Sequence, residues 1–132
     1  GKLKHLLPKN VEVKNGLWGD DYFNTIANIK INLALNSKVV QDLQTTRTIE
    51  LTAYNGFSLV EKNKDTKYIF GEELEKTLFS NYKDLENKIK FYINNEKIRL
   101  KHKLMQLEAI EEKKLYWYFI LPEILNKFIK SR

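Results

Sequence analysis

The order of apolar segments along this chain predicts an α/β fold in which a parallel β-sheet is flanked by helices. Short apolar segments typical of strands alternate with amphipathic segments typical of helices, which favours parallel strands joined by helical crossovers. The clearest strand, residues 57–60, is apolar at nearly every position, as expected when helices cover both faces of a sheet. A length of 132 residues suits one compact domain.

Four strands and six helices are predicted along the chain. The predicted strands cover residues 11–13, 31–35, 57–60 and 75–79. The predicted helices cover residues 20–28, 45–54, 65–70, 82–93, 96–107 and 114–129. The first strand is a weak start for a sheet of this kind, which predicts that further strands precede it.

Polar residues at the helix ends set the predicted limits of these helices. Side-chain N-caps are predicted at Thr45 or Thr46, at Asn81 and at Asn95. Asn81 followed three residues later by Asp84 resembles a capping box. Gly56 is predicted to end the second helix, because glycine tolerates the left-handed conformation that commonly follows a helix.

The composition excludes several classes of protein. The chain has no cysteine, which excludes a disulfide framework, a thiolate zinc site and a cysteine nucleophile. The longest apolar run, residues 115–121, ends at Pro122 and is far shorter than the roughly 20 residues that span a bilayer. Residues 1–10 do not resemble a secretory signal, so a cytoplasmic location is predicted. The aromatic residues 116–119 add the alternative of a helix at a membrane surface.

A net charge of +6, from 23 basic and 17 acidic residues, favours anionic partners such as phosphates, nucleic acid or an acidic membrane surface. The basic residues are mostly lysines interspersed with acids, so a solvated surface is the preferred interpretation. A nucleic-acid-binding domain ranks last, because the sequence carries no helix-turn-helix, zinc-finger or ribonucleoprotein signature. Asp20 and Asp21 are interpreted as first-turn helix charges rather than metal ligands, and His5 and His102 as surface residues. Trp18 is interpreted as packed under the sheet, with contact to a base or sugar as the alternative.

The residues with recognisable chemistry lie between positions 35 and 61. In a doubly wound sheet, ligands bind beyond the carboxyl ends of the strands, and residues 36–46 follow such an end. The N–H groups at the start of the next helix favour phosphate. Thr45 and Thr46 add hydroxyls there, and Arg47 adds a fork of donors. Glu50 follows one turn later, and its carboxylate can accept two hydrogen bonds from a ribose diol.

A longer pattern runs through the same region. Its residues are Asn36-Ser37-Lys38, Asp42, Thr45-Thr46-Arg47, Glu50, Ala53, Gly56-Phe57, Glu61 and Phe70-Gly71-Glu72-Glu73. In order and spacing they resemble the C-terminal domain of the spore-maturation-type (CgeB-like) glycosyltransferases, a branch of the GT-B group. The resemblance covers roughly residues 8–99. It implies one Rossmann-like domain over residues 1–132, the donor-binding half of a GT-B fold, truncated at its N-terminal side and completed by helices in residues 100–132.

The resemblance also implies roles for individual residues. Asp42 would lie near the donor sugar hydroxyls, and Glu50 would hold the ribose of the nucleotide. Thr45, Thr46 and the backbone of residues 43–46 would face the diphosphate, with Arg47 supporting the phosphate or bracing the loop. No catalytic residue, metal ion or cofactor is assigned. The substrate would be a nucleoside-diphosphate sugar, used together with an acceptor-binding N-terminal domain or partner chain, so this chain alone is expected to be inactive.

Two departures from the family pattern keep an alternative open. Tyr54-Asn55 stands where many relatives have two small residues, and no residue matches the basic side chain that neutralises the leaving diphosphate. A non-catalytic nucleotide-binding or scaffolding module therefore remains the alternative function. The apolar C-terminal helix is expected to cross to the partner domain, and without that domain to promote self-association.

Overall fold

The structure is a computed structural model that describes residues 8–36, 46–115 and 117–131, except for the side chains of residues 46, 117–121, 123 and 124. Within these residues the helices are α1 Gly19–Asn28, α2 Thr46–Ala53, α3 Lys64–Phe70, α4 Tyr82–Asn94, α5 Glu96–Glu112 and α6 Trp117–Lys130. The strands are β1 Asn32–Ala34, β2 Ser58–Glu61 and β3 Leu78–Phe79, and a 3-10 helix covers Glu72–Thr77. The predicted helices are all found, within a few residues of their predicted limits.

The three strands form a parallel sheet in the order β1-β2-β3, which confirms the predicted α/β fold. Asn32 lies beside Ser58 in the first pair, and Val60 lies beside Leu78 in the second. Helix α2 connects β1 to β2, and α3 with the 3-10 helix connects β2 to β3. A parallel sheet with helical crossovers that lie against it is the Rossmann-like arrangement.

The core has two parts, one on each face of the sheet. Ala34, Val60 and Leu78 project to one face. They pack there against buried residues of the helices and the 3-10 segment: Ile26, Leu51, Ile69, Phe70, Leu74 and Ile110. The other face carries Leu59 and Phe79, which pack with Phe57 against α4. Helices thus cover both faces of β2, as the apolar character of residues 57–60 predicted.

The predicted strand at residues 11–13 is wrong. These residues are described and lie outside any strand, and the Val11 N–H donates to the Pro8 carbonyl across 3.0 Å in a turn. Val11 and Val13 are both exposed, so their alternation with Glu12 buries nothing. Trp18, predicted under the sheet, is 86% exposed.

The predicted strand at residues 75–79 is correct only at its end. Leu78 and Phe79 pair with β2, whereas Glu72–Thr77 is a 3-10 helix. The buried Thr77 hydroxyl donates to the Leu74 carbonyl across 2.7 Å, a local bond that competes with the extended conformation. The observed strand β3 is therefore shorter than the strand predicted over residues 75–79.

Of the caps predicted for α4 and α5, the one at Asn81 is found and the one at Asn95 is not. The Asn81 side chain accepts from the Asp84 N–H at 2.9 Å, as predicted. The reciprocal bond of the capping box goes to a neighbour, because Asp84 accepts from the Ser80 N–H at 2.9 Å. Asn95 precedes α5, but its side-chain amide donates back to the Phe91 carbonyl at 2.7 Å and does not cap that helix.

Helix α2 ends in a Schellman motif. The Gly56 N–H donates to the Leu51 carbonyl at 2.9 Å, and the Asn55 N–H donates to the Thr52 carbonyl at 3.1 Å. Asn55, with φ of 63°, takes the left-handed conformation that was predicted for Gly56. The glycine is needed for another reason: three neighbouring atoms occupy the space that a Cβ would require.

A glutamine from α5 completes the hydrogen bonding of β2. Gln106 is fully buried, and its Oε1 accepts from the Ser58 N–H at 3.2 Å. Its Nε2 donates to the Ser58 carbonyl at 2.8 Å. Because β3 begins beside Val60, no strand pairs with Ser58 on this side of β2 in the described sheet. The primary amide of Gln106 takes the place of a peptide group there.

A tyrosine–histidine pair links α4 to α5. The Tyr92 hydroxyl lies 2.7 Å from Nδ1 of His102, and burial raises the pKa of Tyr92 far above its usual range. The tyrosine therefore stays protonated, and the tautomer of His102 decides which of the two groups donates the hydrogen bond. Arg99, also buried, donates from Nη1 to the Tyr92 carbonyl at 2.7 Å. The prediction that His102 is a plain surface residue is wrong, since it is half-buried in this contact.

The His102 contact predicts a pH dependence of stability. Burial, followed by the charges of Lys101 and Lys76, lowers the pKa of His102 below its usual 6.5. The unfolded chain then binds a proton before the native state does, so stability is full above pH 6.5 and declines as pH falls through the native pKa. Urea unfolding should show a lower free energy of unfolding at pH of about 5.5 than at about 7, a window in which carboxyl groups stay ionised.

The matched variant for this measurement is His102→Gln, whose amide can accept from or donate to the Tyr92 hydroxyl but does not titrate. We expect its free energy of unfolding to change less over the same pH interval. An equal decline in wild type and variant would show that another group causes the pH dependence.

Candidate functional site

The carboxyl ends of the three strands meet the N-termini of several helices at one edge of the sheet. Helices α2, α3 and α4 follow β1, β2 and β3, so each begins at this edge. Helix N-termini carry partial positive charge and N–H donors. Ligands of parallel α/β sheets bind at this edge, which we call the carboxyl edge.

Two of these N-termini are closed by asparagine side chains. Asn63 Oδ1 accepts from the N–H groups of Asp65 and Thr66, each at 2.9 Å, and Thr66 returns a bond by accepting from the Asn63 N–H at 2.9 Å. This capping box was not predicted, although its Asn-x-x-Thr spacing is visible in the sequence. Asn81 closes α4 through the bond to Asp84. The residues that precede α2 lie outside the described part of the chain.

Glu50 is a half-buried carboxylate on the second turn of α2. The Tyr22 hydroxyl of α1 donates to Glu50 Oε2 across 3.4 Å, a long contact for an O–H···O bond. A carboxylate has about four acceptor positions, so Glu50 can accept further hydrogen bonds beside this one. Burial and then the charge of Glu50 raise the pKa of Tyr22, while Arg47 lowers it; the net shift is upward, so Tyr22 remains a donor.

Three aromatic rings hold α1 against the end of α2. The rings of Phe23 and Tyr54 stack with centroids 4.1 Å apart and an interplanar angle of 29°. Tyr22 contacts both, with centroids 5.8 Å from Phe23 and 6.4 Å from Tyr54. This contact fixes the Tyr22 ring from which the hydroxyl reaches Glu50. It also explains the large residue at position 54, because Tyr54 packs against α1.

Comparison with known proteins assigns the chain to a family. The model of a family described as glycosyl transferase-like matches residues 2–114, which include the whole sheet and helices α1 to α5. This chain belongs to the glycosyl transferase-like family. No curated protein and no solved structure matches it. The glycosyltransferase resemblance is thereby confirmed at the level of the family, and the CgeB-like branch remains a prediction.

One further contact of this glycosyl transferase-like domain joins two strand ends at the carboxyl edge. The Asn36 N–H, just after β1, donates to Glu61 Oε2 at the end of β2 across 3.0 Å. Both residues belong to the pattern that carried the resemblance. The contact fixes the point from which the chain leaves β1 towards α2.

The structure places part of the predicted donor site. Arg47 is exposed on the first turn of α2 and Glu50 lies one turn further, so both are on the helix that the sequence predicted. Thr46 begins α2, but its side chain is outside the described residues, as are Asp42 and Thr45 altogether. The contact of Tyr22 with Glu50 was not predicted, because in sequence Tyr22 belongs to an ordinary apolar stripe.

Two general features of the described residues bear on the chemistry of the glycosyl transferase-like domain. In residues 8–36, 46–115 and 117–131, no three His, Asp or Glu side chains converge as a metal site would require. A helix able to span a bilayer is not found in this described part of the chain.

Proposed function

We propose that this domain binds a nucleoside-diphosphate sugar at the carboxyl edge and acts as the donor-binding half of a CgeB-like GT-B glycosyltransferase. The observation that carries the proposal is the half-buried carboxylate of Glu50, which α2 presents beside the Tyr22 hydroxyl. Membership of the glycosyl transferase-like family supports a sugar nucleotide rather than another phosphorylated ligand.

In this proposal Glu50 accepts hydrogen bonds from the two ribose hydroxyls of the nucleotide. A charged acceptor strengthens such bonds relative to neutral pairs. The Tyr22 contact orients the carboxylate. At 3.4 Å this hydrogen bond is weak, so little stabilisation is lost when Oε2 also accepts from a ribose hydroxyl. Tyr22 is therefore a positioning residue, and the aromatic contact with Phe23 and Tyr54 keeps its ring in place.

The diphosphate would lie at the start of α2. The N–H groups there and the exposed guanidinium of Arg47 would supply donors and positive charge. The hydroxyls of Thr45 and Thr46 are assigned to the same group on the strength of the sequence. Asp42 is assigned to the sugar hydroxyls on the strength of the resemblance. The share of this domain in the transfer would be electrostatic stabilisation of the leaving diphosphate. An N-terminal domain or partner chain would supply the acceptor and the catalytic base.

Glu50→Ala is expected to weaken nucleotide binding by at least about tenfold, because hydrogen bonds to a charged group are worth about 1.5–3 kcal/mol. Calorimetric titration with UDP, GDP, CDP and ADP measures this and identifies the preferred base. The control is Glu73→Gln, which alters an exposed carboxylate on the 3-10 helix before β3, at the opposite edge of the sheet. Equal affinity of Glu50→Ala and wild type, with both folded, would contradict the assignment of Glu50.

A further inference from the structure

Helix α6 exposes apolar side chains to water. Ten of the fourteen residues of Trp117–Lys130 are apolar or aromatic, with Glu123, Asn126, Lys127 and Lys130 the remainder. Among its described side chains, Leu125 is 50% exposed, Phe128 56% and Ile129 68%. They are spaced i, i+3 and i+4, which places them on one face of the helix. The proposed nucleotide site does not use this apolar face.

The basic residues of α6 lie on the other side of the helix. At 3.6 residues per turn, Lys127 and Lys130 project roughly opposite the centre of the face formed by Leu125, Phe128 and Ile129. Both lysines are exposed. Residues 113–132 contain five basic residues and one acid, so this segment of the sequence carries a net positive charge. An apolar face combined with a lysine-bearing polar face is typical of helices that lie in a membrane interface.

We propose that α6 docks on an anionic lipid surface, with Leu125, Phe128 and Ile129 inserted among the acyl chains and the lysines near the headgroups. The aromatic residues at the start of the helix sequence, Trp117 and Tyr118, are types enriched at the boundary between headgroups and hydrocarbon. The basic residues of 113–132 would add attraction to negatively charged lipid. The helix would lie along the surface and bring the proposed donor site to a membrane-bound acceptor.

A second copy of the chain fits this face less well. In a twofold dimer joined through the apolar face, Lys127 and Lys130 of each copy would point away from the other copy, so their charge would contribute nothing to association. An anionic membrane instead complements both the apolar and the basic side of α6, which is why the charge pattern favours lipid.

The test is co-sedimentation of the full chain with vesicles of phosphatidylglycerol and phosphatidylcholine in equal parts, compared with phosphatidylcholine alone. We expect at least about tenfold stronger partition to the anionic vesicles, and a decline with added salt. The double substitution Leu125→Gln with Phe128→Gln should reduce the partition by at least about tenfold, because two large side chains lose their apolar burial.

Leu104→Gln is the matched control, since Leu104 of α5 is 57% exposed and lies outside α6. It should leave vesicle binding unchanged, and all variants should keep the circular dichroism of the wild type because the altered residues are exposed. Absence of binding to anionic vesicles would overturn the proposal. Equal binding of the double variant and the wild type to anionic vesicles would also overturn it. The same holds if the wild type forms a dimer without lipid and the double substitution Leu125→Gln with Phe128→Gln dissociates that dimer. None of these outcomes depends on nucleotide binding, which the Glu50 variant tests separately.

Discussion

Replacement of Gln106 by leucine is expected to lower the free energy of unfolding by about 2–4 kcal/mol. The substitution keeps a similar side-chain size but removes both hydrogen bonds to Ser58, whose N–H donates at 3.2 Å and whose carbonyl accepts at 2.8 Å. Both groups are buried on the central strand, and a buried peptide group without a partner costs about 1–3 kcal/mol. Urea unfolding followed by circular dichroism measures the change.

The control for this variant is Met105→Leu, at the adjacent and only half-buried position of α5. It conserves volume and is expected to cost less than about 1.5 kcal/mol. If Gln106→Leu lowers the free energy of unfolding no more than Met105→Leu does, the hydrogen bonds from Gln106 to Ser58 do not stabilise the fold.

Gly56→Ala is the second change with a large expected effect, about 3 kcal/mol of lost stability or failure to fold. A Cβ at this position would lie 2.6 Å from the Leu51 carbonyl oxygen, 2.7 Å from Ile26 Cγ2 and 2.8 Å from Asn32 Nδ2. The oxygen accepts the bond that ends α2, and the Asn32 amide donates to the carbonyls of Ile26 and Phe57 at 3.2 Å each. Relief of the clash therefore requires backbone movement or loss of these bonds.

Gly16→Ala serves as the comparison for Gly56→Ala. A Cβ at Gly16 would approach Trp18 Nε1 only to 3.7 Å, an ordinary contact. An exposed substitution of this kind is expected to change stability by less than about 0.5 kcal/mol in thermal or urea unfolding. Similar losses for the two alanine variants would show that close packing at Gly56 is not what requires glycine.

Local sequence patterns predicted the helices of this fold more accurately than its strands. A helix satisfies its own backbone, so amphipathic spacing and a cap such as Asn81 identify it directly. A strand depends on a neighbour that the sequence does not reveal. The alternation at residues 11–13 therefore predicted a strand that does not form. Residues 75–77 belong to a 3-10 helix, in which the Thr77 hydroxyl makes a local hydrogen bond, and do not extend β3.

The sequence likewise predicted those parts of the candidate site that lie within one helix, but not the contacts between helices. Arg47 and Glu50 share one helix, so their spacing alone placed them together. Tyr22 lies 28 positions before Glu50 and Ser58 lies 48 before Gln106, and contacts over such separations follow from the packing of helices and not from any local motif. The exposure of Trp18 has the same origin, because nothing near it in sequence fixes which side of the chain it faces.

The most direct test of the proposed function combines Glu50→Ala with removal of the ribose hydroxyls. The preferred nucleoside diphosphate and its 2′,3′-dideoxy analogue are titrated against wild type and against Glu50→Ala, and the coupling free energy is taken from the four affinities. If Glu50 holds the ribose, the analogue binds wild type at least about tenfold more weakly, whereas the variant binds both ligands equally weakly. If both proteins lose affinity for the analogue by the same factor, Glu50 does not hold the ribose, and the proposed site is contradicted.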